Sequence, residues 1–140
     1  MKSNLTFTMI KPHAVEYNNL GPILEVINRN GYKFRALKMI KLSIEKAEIF
    51  YDIHKEKPFF QELVDYMTSG PVVVAVIEKE NAVKDFRELI GNTDPTKAKL
   101  GTIRRMFAES KEANAIHGSD SENSAIREIG LFFTTQEIFM

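Results

Sequence analysis

The sequence predicts an α+β protein in which helices cover one side of an antiparallel or mixed sheet. Strand-like and helix-like segments alternate along the 140 residues, and their order contains two split β-α-β units. The segment "PVVVAVIE" is a continuous apolar run, which is typical of a strand buried on both faces. The chain shows no repeat, low-complexity tract or linker, and its length suits one domain over residues 1–140.

The first half of the chain contains two predicted strands and three predicted helices. Apolar and polar side chains alternate around Thr6 with a period of two, as in a strand, and Pro12 ends that alternation. Pro22 suits a first helical turn, Gly31 suits a C-terminal stop, and Ser43 is a fair N-cap. The predicted elements are, in order, a strand over 5–10, a helix over 20–27, a strand over 33–42, a helix over 44–54 and a helix over 60–67.

The second half continues the alternation with shorter elements. Asn81 begins a helix whose apolar side contains Phe86, and residues 91–102 have the glycines and proline of a loop. The predicted elements are a strand over 71–78, a helix over 82–89, a short amphipathic piece over 103–107, a short helix over about 122–129, and a last strand in "GLFFTT" at 130–135.

Composition excludes several classes of function. Nineteen basic and nineteen acidic residues cancel, so no global charge favours nucleic acid or an anionic membrane. The absence of cysteine excludes disulfides, thiolate catalysis and zinc sites built from cysteine. The N-terminus lacks the apolar region of a signal peptide, and no apolar run approaches ~18 residues. These features predict a soluble, cytoplasmic protein without a nucleic-acid or membrane partner.

The common catalytic motifs are also missing. The chain contains neither of the glycine-rich phosphate loops, G-x-x-x-x-G-K-[ST] and G-x-G-x-x-G, and neither H-E-x-x-H nor G-x-S-x-G. Three scattered histidines make a poor set of metal ligands. Any recognition of an anionic ligand must therefore come from local clusters of side chains.

The segment "NAIHGSDS" at 114–121 surrounds His117 with small and polar residues. Gly118 permits a tight turn, Ser119 offers a hydroxyl, and the 120–121 pair can cap the next helix. Glu128 could return from that helix towards the imidazole and fix its tautomer. This pattern fits a nucleophile, an acid–base group or a metal ligand; alternatively, His117 bonds only a backbone carbonyl.

Several cations and one aromatic residue stand at the ends of elements. Lys11 ends the first strand, and Arg87 lies off the apolar side of its helix. The guanidinium groups of Arg104 and Arg105 could each donate two parallel hydrogen bonds to a phosphate. Taken alone, Lys11 and Arg87 are by default solvated surface residues, and a solvated helix end is the competing interpretation of Arg104 and Arg105. Phe59 lies off the apolar stripe of its helix, so it could stack on a planar ligand or cover a neighbouring loop.

Together these segments resemble the nucleoside diphosphate kinase family over essentially the whole chain. The motifs that carry the resemblance are "TFTMIKPHAV", "YDIHKEKPFF", "LVDYMTSGPVV", "RELIGNTDP", "GTIR" and "NAIHGSDS". The resemblance implies a ferredoxin-like βαββαβ fold with a four-stranded antiparallel sheet covered by helices. It implies that His117 accepts the phosphate and that Glu128 and Ser119 orient it, with Lys11 as a further catalytic residue. The nucleotide-binding residues that it implies are Lys11, Tyr51, Phe59, Arg87, Thr93, Arg104 and Asn114.

The resemblance also implies an activity, in which a terminal phosphoryl group passes from ATP to nucleoside diphosphates through a phosphohistidine at His117. Mg²⁺ would be held through the nucleotide phosphates rather than by protein ligands. The expected assembly is a homo-oligomer, either a tetramer or a hexamer. His13 and the Arg105–Met106 pair depart from the usual pattern of the family, as does Leu100.

Two other functions fit parts of the sequence. A non-enzymatic nucleotide-binding or assembly module on the same fold would keep Phe59 and the cations but would not need His117. A hydrolase could use Ser119 with His117 as its base, although a serine two residues from its base is awkwardly placed and no oxyanion loop is evident.

Overall fold

The computed structural model describes residues 4–140, which form four β-strands and seven α-helices. The strands are β1 (Leu5–Ile10), β2 (Lys33–Ile40), β3 (Val72–Glu78) and β4 (Ile116–Gly118). The helices are α1 (Pro12–Glu16), α2 (Leu20–Arg29), α3 (Ile44–Phe50), α4 (Phe60–Met67), α5 (Ala82–Ile90), α6 (Ile103–Phe107) and α7 (Glu122–Phe132). Two short 3₁₀ turns lie at Asp52–His54 and Thr135–Glu137.

The four strands form one sheet in the order β2-β3-β1-β4, and every neighbouring pair is antiparallel. This is the order of a ferredoxin-like βαββαβ sheet, so the predicted fold class is confirmed. In the pairing of β1 with β4, Met9 lies opposite His117 and Thr8 lies opposite Gly118. The short strand β4 therefore lies beside a central strand of the sheet.

Helices cover both faces of the sheet, so the expectation of a covering on one side is wrong. Val74 of β3 packs in a core with α3, α4 and the end of α7, whereas Val73 packs with α2, α5 and α6. Successive residues of β3 point to opposite faces, and both faces are apolar. The continuous run "PVVVAVIE" indicated this two-sided burial, and the structure confirms that interpretation of the segment.

One predicted strand is wrong, and one predicted helix is shorter than expected. The segment "GLFFTT" is not a strand, because α7 continues to Phe132. Ala125, Glu128 and Phe132 are buried on one side of this helix, and the exposed Gly130 does not interrupt it. The fourth strand is β4, which contains His117. The helix predicted over 44–54 also ends earlier, at Phe50, and His54 lies in a 3₁₀ turn.

Side-chain caps fix where the helices that carry the candidate residues begin. Ser43 Oγ accepts a hydrogen bond from the Lys46 N–H, as its predicted N-cap role requires. Ser121 caps α7 in the same way, and Thr102 caps α6. No helix within residues 4–140 is long and apolar enough to cross a membrane. One domain over residues 1–140 stays a prediction.

Candidate active site

His117 lies in the middle of β4, and its side chain contacts the glutamate predicted to orient it. Ile116 packs in the core on the α5 face of the sheet, so alternation directs the imidazole to the α3 and α7 face. The imidazole Nε2 is 2.9 Å from Glu128 Oε1, and the same oxygen accepts a 2.7 Å hydrogen bond from Ser119 Oγ. Thr8 Oγ1 donates to the His117 carbonyl oxygen at 2.8 Å.

These contacts define the protonation of the ring. A carboxylate only accepts hydrogen bonds, so in the neutral ring Nε2 carries the proton and Nδ1 keeps its lone pair. Burial lowers the pKa of His117 below its ordinary value, and the positive charges of Lys11 and Arg104 act in the same direction against Glu128. The imidazole is therefore neutral at pH 7 and can act as a nucleophile through Nδ1.

An open cavity of about 660 Å³ lies beside His117, between α4, the loop at 91–102 and the segment that precedes β4. Most of the residues singled out in the sequence converge here. Those that line it are Lys11, Tyr51, Phe59, Thr93, Arg104, Asn114 and His117. Pockets that bind small molecules have volumes of roughly 300–1,000 Å³, so this cavity is of the size that holds such a ligand.

Lys11 is a buried cation at the inner end of this cavity, with only 6% of its surface exposed. Its ammonium forms no ion pair within residues 4–140. Burial, assisted by the positive charge of Arg104, lowers the pKa of Lys11 to about 7. A buried ammonium without an ionic partner is costly, so an anionic ligand that pairs with it would bind favourably.

Arg104 is fixed by backbone oxygen atoms rather than by a carboxylate. Its Nη1 donates to the Gly91 carbonyl at 3.0 Å, and its Nη2 donates to the Ile116 carbonyl at 2.7 Å. Burial and the charge of Arg87 lower the pKa of Arg104 to about 10, so the guanidinium stays charged at pH 7. Its positive charge is therefore available to the cavity.

Several buried polar atoms around the cavity lack a partner. Among the residues that line the cavity, the buried side-chain atoms without a hydrogen-bond partner in the described part of the chain include Tyr51 Oη, His54 Nδ1, Arg104 Nε and Asn114 Oδ1. Buried polar groups are normally satisfied, and several unsatisfied atoms around one cavity fit a polar ligand. Burial raises the pKa of Tyr51, so its hydroxyl keeps its proton and can donate a hydrogen bond.

Phe59 lies at the mouth of the cavity, at the N-cap position of α4. It is 46% exposed, and the rings of Phe59 and His54 are 5.7 Å apart. An exposed aromatic ring beside a polar cavity can stack on a planar ligand. Thr93 is exposed in the loop across the opening.

Three predicted site residues do not line the cavity, namely Glu128, Ser119 and Arg87. Ser119 is almost fully buried behind Glu128 and donates to its carboxylate. This leaves the serine without a hydrogen bond to His117, which is the contact that a serine hydrolase needs. Arg87 lies to one side, where its Nη1 is 3.4 Å from the Gly118 carbonyl oxygen and it lines a separate depression with Asp120.

The departures from the family pattern lie outside the cavity. His13 contacts Glu109, and the Arg105 guanidinium donates to the Ala98 carbonyl. The cavity includes residues that the sequence did not single out as ligand contacts, namely His54, Glu62, Leu63, Tyr66, Lys111, Glu112 and Ala113. Lys111 lies in a turn closed by the Glu109 N–H and the Ala113 carbonyl, and such a turn carries no periodic signal.

Comparisons with known sequences agree with this geometry. The sequence profile described as "Nucleoside diphosphate kinase" matches residues 4–138. The chain is 57% identical to the nucleoside diphosphate kinase of Nitratiruptor sp. over 133 residues, which are 95% of this chain and 97% of that protein. It is 53% identical to that of Oleidesulfovibrio alaskensis, over 95% of this chain and 96% of the relative.

Solved structures are similar over nearly the whole fold. The nucleoside diphosphate kinase of Aquifex aeolicus has a TM-score of 0.94 at 46% identity, covering 98% of this chain and 99% of the other. A halophilic nucleoside diphosphate kinase from Halobacterium salinarum, solved in complex with CDP, has a TM-score of 0.95 at 38% identity, covering 99% and 93%. The chain therefore belongs to the nucleoside diphosphate kinase family and is a phosphotransferase enzyme that uses nucleotides.

Proposed function

We propose that this enzyme exchanges the terminal phosphoryl group between nucleoside triphosphates and diphosphates through a phosphohistidine at His117, with ATP as the main donor. The observation that carries the proposal is the bond between Nε2 of His117 and Glu128, which leaves the Nδ1 lone pair free in a ring that lines the cavity. A neutral imidazole is nucleophilic near pH 7, so no separate base must remove a proton first.

The transfer occurs in two mirror-image steps. Nδ1 of His117 forms a bond to the γ-phosphorus while the bond from that phosphorus to the β,γ-bridging oxygen breaks, and the diphosphate leaves. A second diphosphate then attacks the same phosphorus with its terminal oxygen, and the N–P bond breaks. One site serves donor and acceptor in turn, which requires ping-pong kinetics. Glu128 stabilises the ring as it becomes cationic, and Ser119 holds the carboxylate.

Positive charge and hydrogen-bond donors replace a glycine-rich loop. Lys11 and Arg104 offset the charge on the phosphoryl oxygens, which is the main task in phosphoryl transfer. The unsatisfied polar atoms of Tyr51 and Asn114 would form hydrogen bonds with the nucleotide. Arg87 and Thr93 would contact phosphates from the edge of the site, and Arg87 would need to turn from the Gly118 carbonyl.

The base would stack on Phe59, and Mg²⁺ would accompany the phosphates. Stacking distinguishes bases weakly because every base has a π-face, so purine and pyrimidine nucleotides both fit. Within residues 4–140 no group of three or more His, Asp or Glu side chains is placed to hold a metal ion. We therefore assign Mg²⁺ to the nucleotide phosphates, where it would neutralise charge. The cytoplasmic location and the tetramer or hexamer remain predictions.

One labelling experiment tests the central claim. Incubation with γ-labelled ATP and no acceptor should place an acid-labile, alkali-stable label on His117, and an unlabelled diphosphate should discharge it into the triphosphate pool. His117→Ala should abolish both steps, while the control His54→Ala, which alters the same cavity without touching Glu128, should keep the label. An acid-stable label on Ser119 or Ser121, or exchange by the His117→Ala variant, would refute the proposal.

A further inference from the structure

The imidazole of His117 is packed by aromatic rings on the side away from the cavity. The Phe50 ring meets it edge-on, with ring centroids 4.9 Å apart and planes at 75°. Phe7 lies farther away, at 6.1 Å and 57°. Both phenylalanines are buried, at 4% and 0% exposure, and Phe50 does not line the cavity. Phe50 thus touches the reactive ring without being placed to touch a nucleotide.

A single hydrogen bond does not fix the orientation of an imidazole. The bond from Nε2 to Glu128 holds one atom, and the ring can still rotate about the line that joins the two groups. An aromatic edge against the ring face removes part of that freedom, because edge-to-face pairs have a preferred geometry. The direction of Nδ1 therefore depends on the hydrogen bond and on the packing together.

We propose that Phe50 is a positioning residue for phosphoryl transfer, which holds the His117 ring so that Nε2 stays on Glu128 while Nδ1 faces the cavity. This inference rests on the proposed role of His117 as phosphoryl acceptor. Phe50 follows Ala47 on the buried side of α3 and comes directly before Tyr51, so one short segment supports the imidazole and lines the cavity.

The same contact shields one side of the imidazole from water, while the His117 side chain as a whole stays 23% exposed. The charged groups that face the ring are Glu128 from α7, Lys11 after β1, Arg104 from α6 and Asp120 from the turn before α7. Glu128 favours the protonated ring and the two cations oppose it, but burial is the largest cause of the lowered pKa of His117. Removal of the Phe50 ring should therefore raise that pKa and broaden the tautomer population.

The test compares Phe50→Leu with Phe132→Leu. Phe132 is the matched control, because it stacks on Phe7 at 5.1 Å and meets Phe50 at 5.6 Å, one layer behind the imidazole. Both variants lose one buried ring from the same core. In Phe50→Leu we expect single-turnover phosphorylation to fall on the order of tenfold with little change in KM, because the nucleophile is misdirected. The acid limb of its pH–rate profile should move to higher pH.

Histidine ¹⁵N shifts provide a readout that does not depend on turnover. The wild-type protein and Phe132→Leu should keep the Nε2–H tautomer of His117 and a lowered pKa, whereas Phe50→Leu should show mixed tautomers and a higher pKa. Equal effects of the two substitutions on pH profile and tautomer would overturn the inference and leave Phe50 as core packing. Absence of label on His117 in the wild-type protein would instead refute the proposed function, while the tautomer comparison still tests the role of Phe50.

Discussion

Replacement of Lys11 by methionine should stabilise the fold while it abolishes most of the activity. The pKa of Lys11 falls from 10.5 to about 7 in the folded chain, chiefly because of burial. One unit of pKa corresponds to about 1.4 kcal/mol, so at pH 7 this perturbation opposes folding by roughly 4 kcal/mol. Methionine has a similar length and no charge. After allowance for its imperfect fit, a gain of about 2–4 kcal/mol is expected.

The pH dependence identifies the cause of that gain. Between about pH 7 and pH 10 the unfolded chain keeps the Lys11 proton that the folded chain releases, so this group makes the wild-type protein more stable as the pH rises. Lys11→Met lacks this contribution. The stability difference between the two proteins should therefore be largest at and below pH 7 and should shrink by pH 9.

Urea unfolding at pH 7 and pH 9, followed by circular dichroism, measures the effect. Lys99→Met is the matched control, because Lys99 is an exposed lysine outside the cavity, and this substitution should change neither stability nor exchange activity appreciably. A Lys11→Met protein that is less stable than the wild type at pH 7 would refute the reasoning. So would a stability difference that is the same at both pH values.

Three further substitutions test other parts of the site. Phe59→Ala should raise KM several-fold for purine and pyrimidine diphosphates alike, measured in a panel of acceptors; a defect confined to one base would contradict stacking. Glu128→Gln should slow single-turnover phosphorylation and shift its acid limb to lower pH, because Glu128 raises the pKa of His117; unchanged kinetics would remove it from the mechanism. Gly118→Ala should cost about 1–3 kcal/mol in urea unfolding, since its Cβ would lie 2.9 Å from Phe86 Cδ2; wild-type stability would show that the core relaxes.

The sequence predicted most of the sheet and the chemical centre, because both leave regular local signals. Alternation identified β1 and β2, and the continuous apolar run identified β3. The helix after "HGSDS" placed Glu128 within reach of His117, and the two side chains lie 2.9 Å apart. Their catalytic roles stay predictions. These predictions depend on residues close together in the chain or on a repeating pattern.

The remaining features depend on partners distant in the chain. β4 has only three residues, too few to show alternation, and it is a strand only because β1 pairs with it. The "GLFFTT" segment has strand-like residues, but packing of Phe132 against Phe7 keeps it helical through that position. Nothing in the local pattern around Phe50 indicates that its ring meets an imidazole 67 positions later at 4.9 Å.

The three-residue length of β4 links the correct folding of the sheet to the chemistry. Neighbouring residues of a strand point to opposite faces, so a slip of one position against β1 would turn the imidazole towards Phe86 and Ile90 and away from Glu128. Most of the chain would be unaffected by such an error, and circular dichroism would scarcely register it. If His117 is the phosphoryl acceptor as proposed, the fraction of refolded molecules that can be phosphorylated therefore reports the fraction with β4 in the correct register.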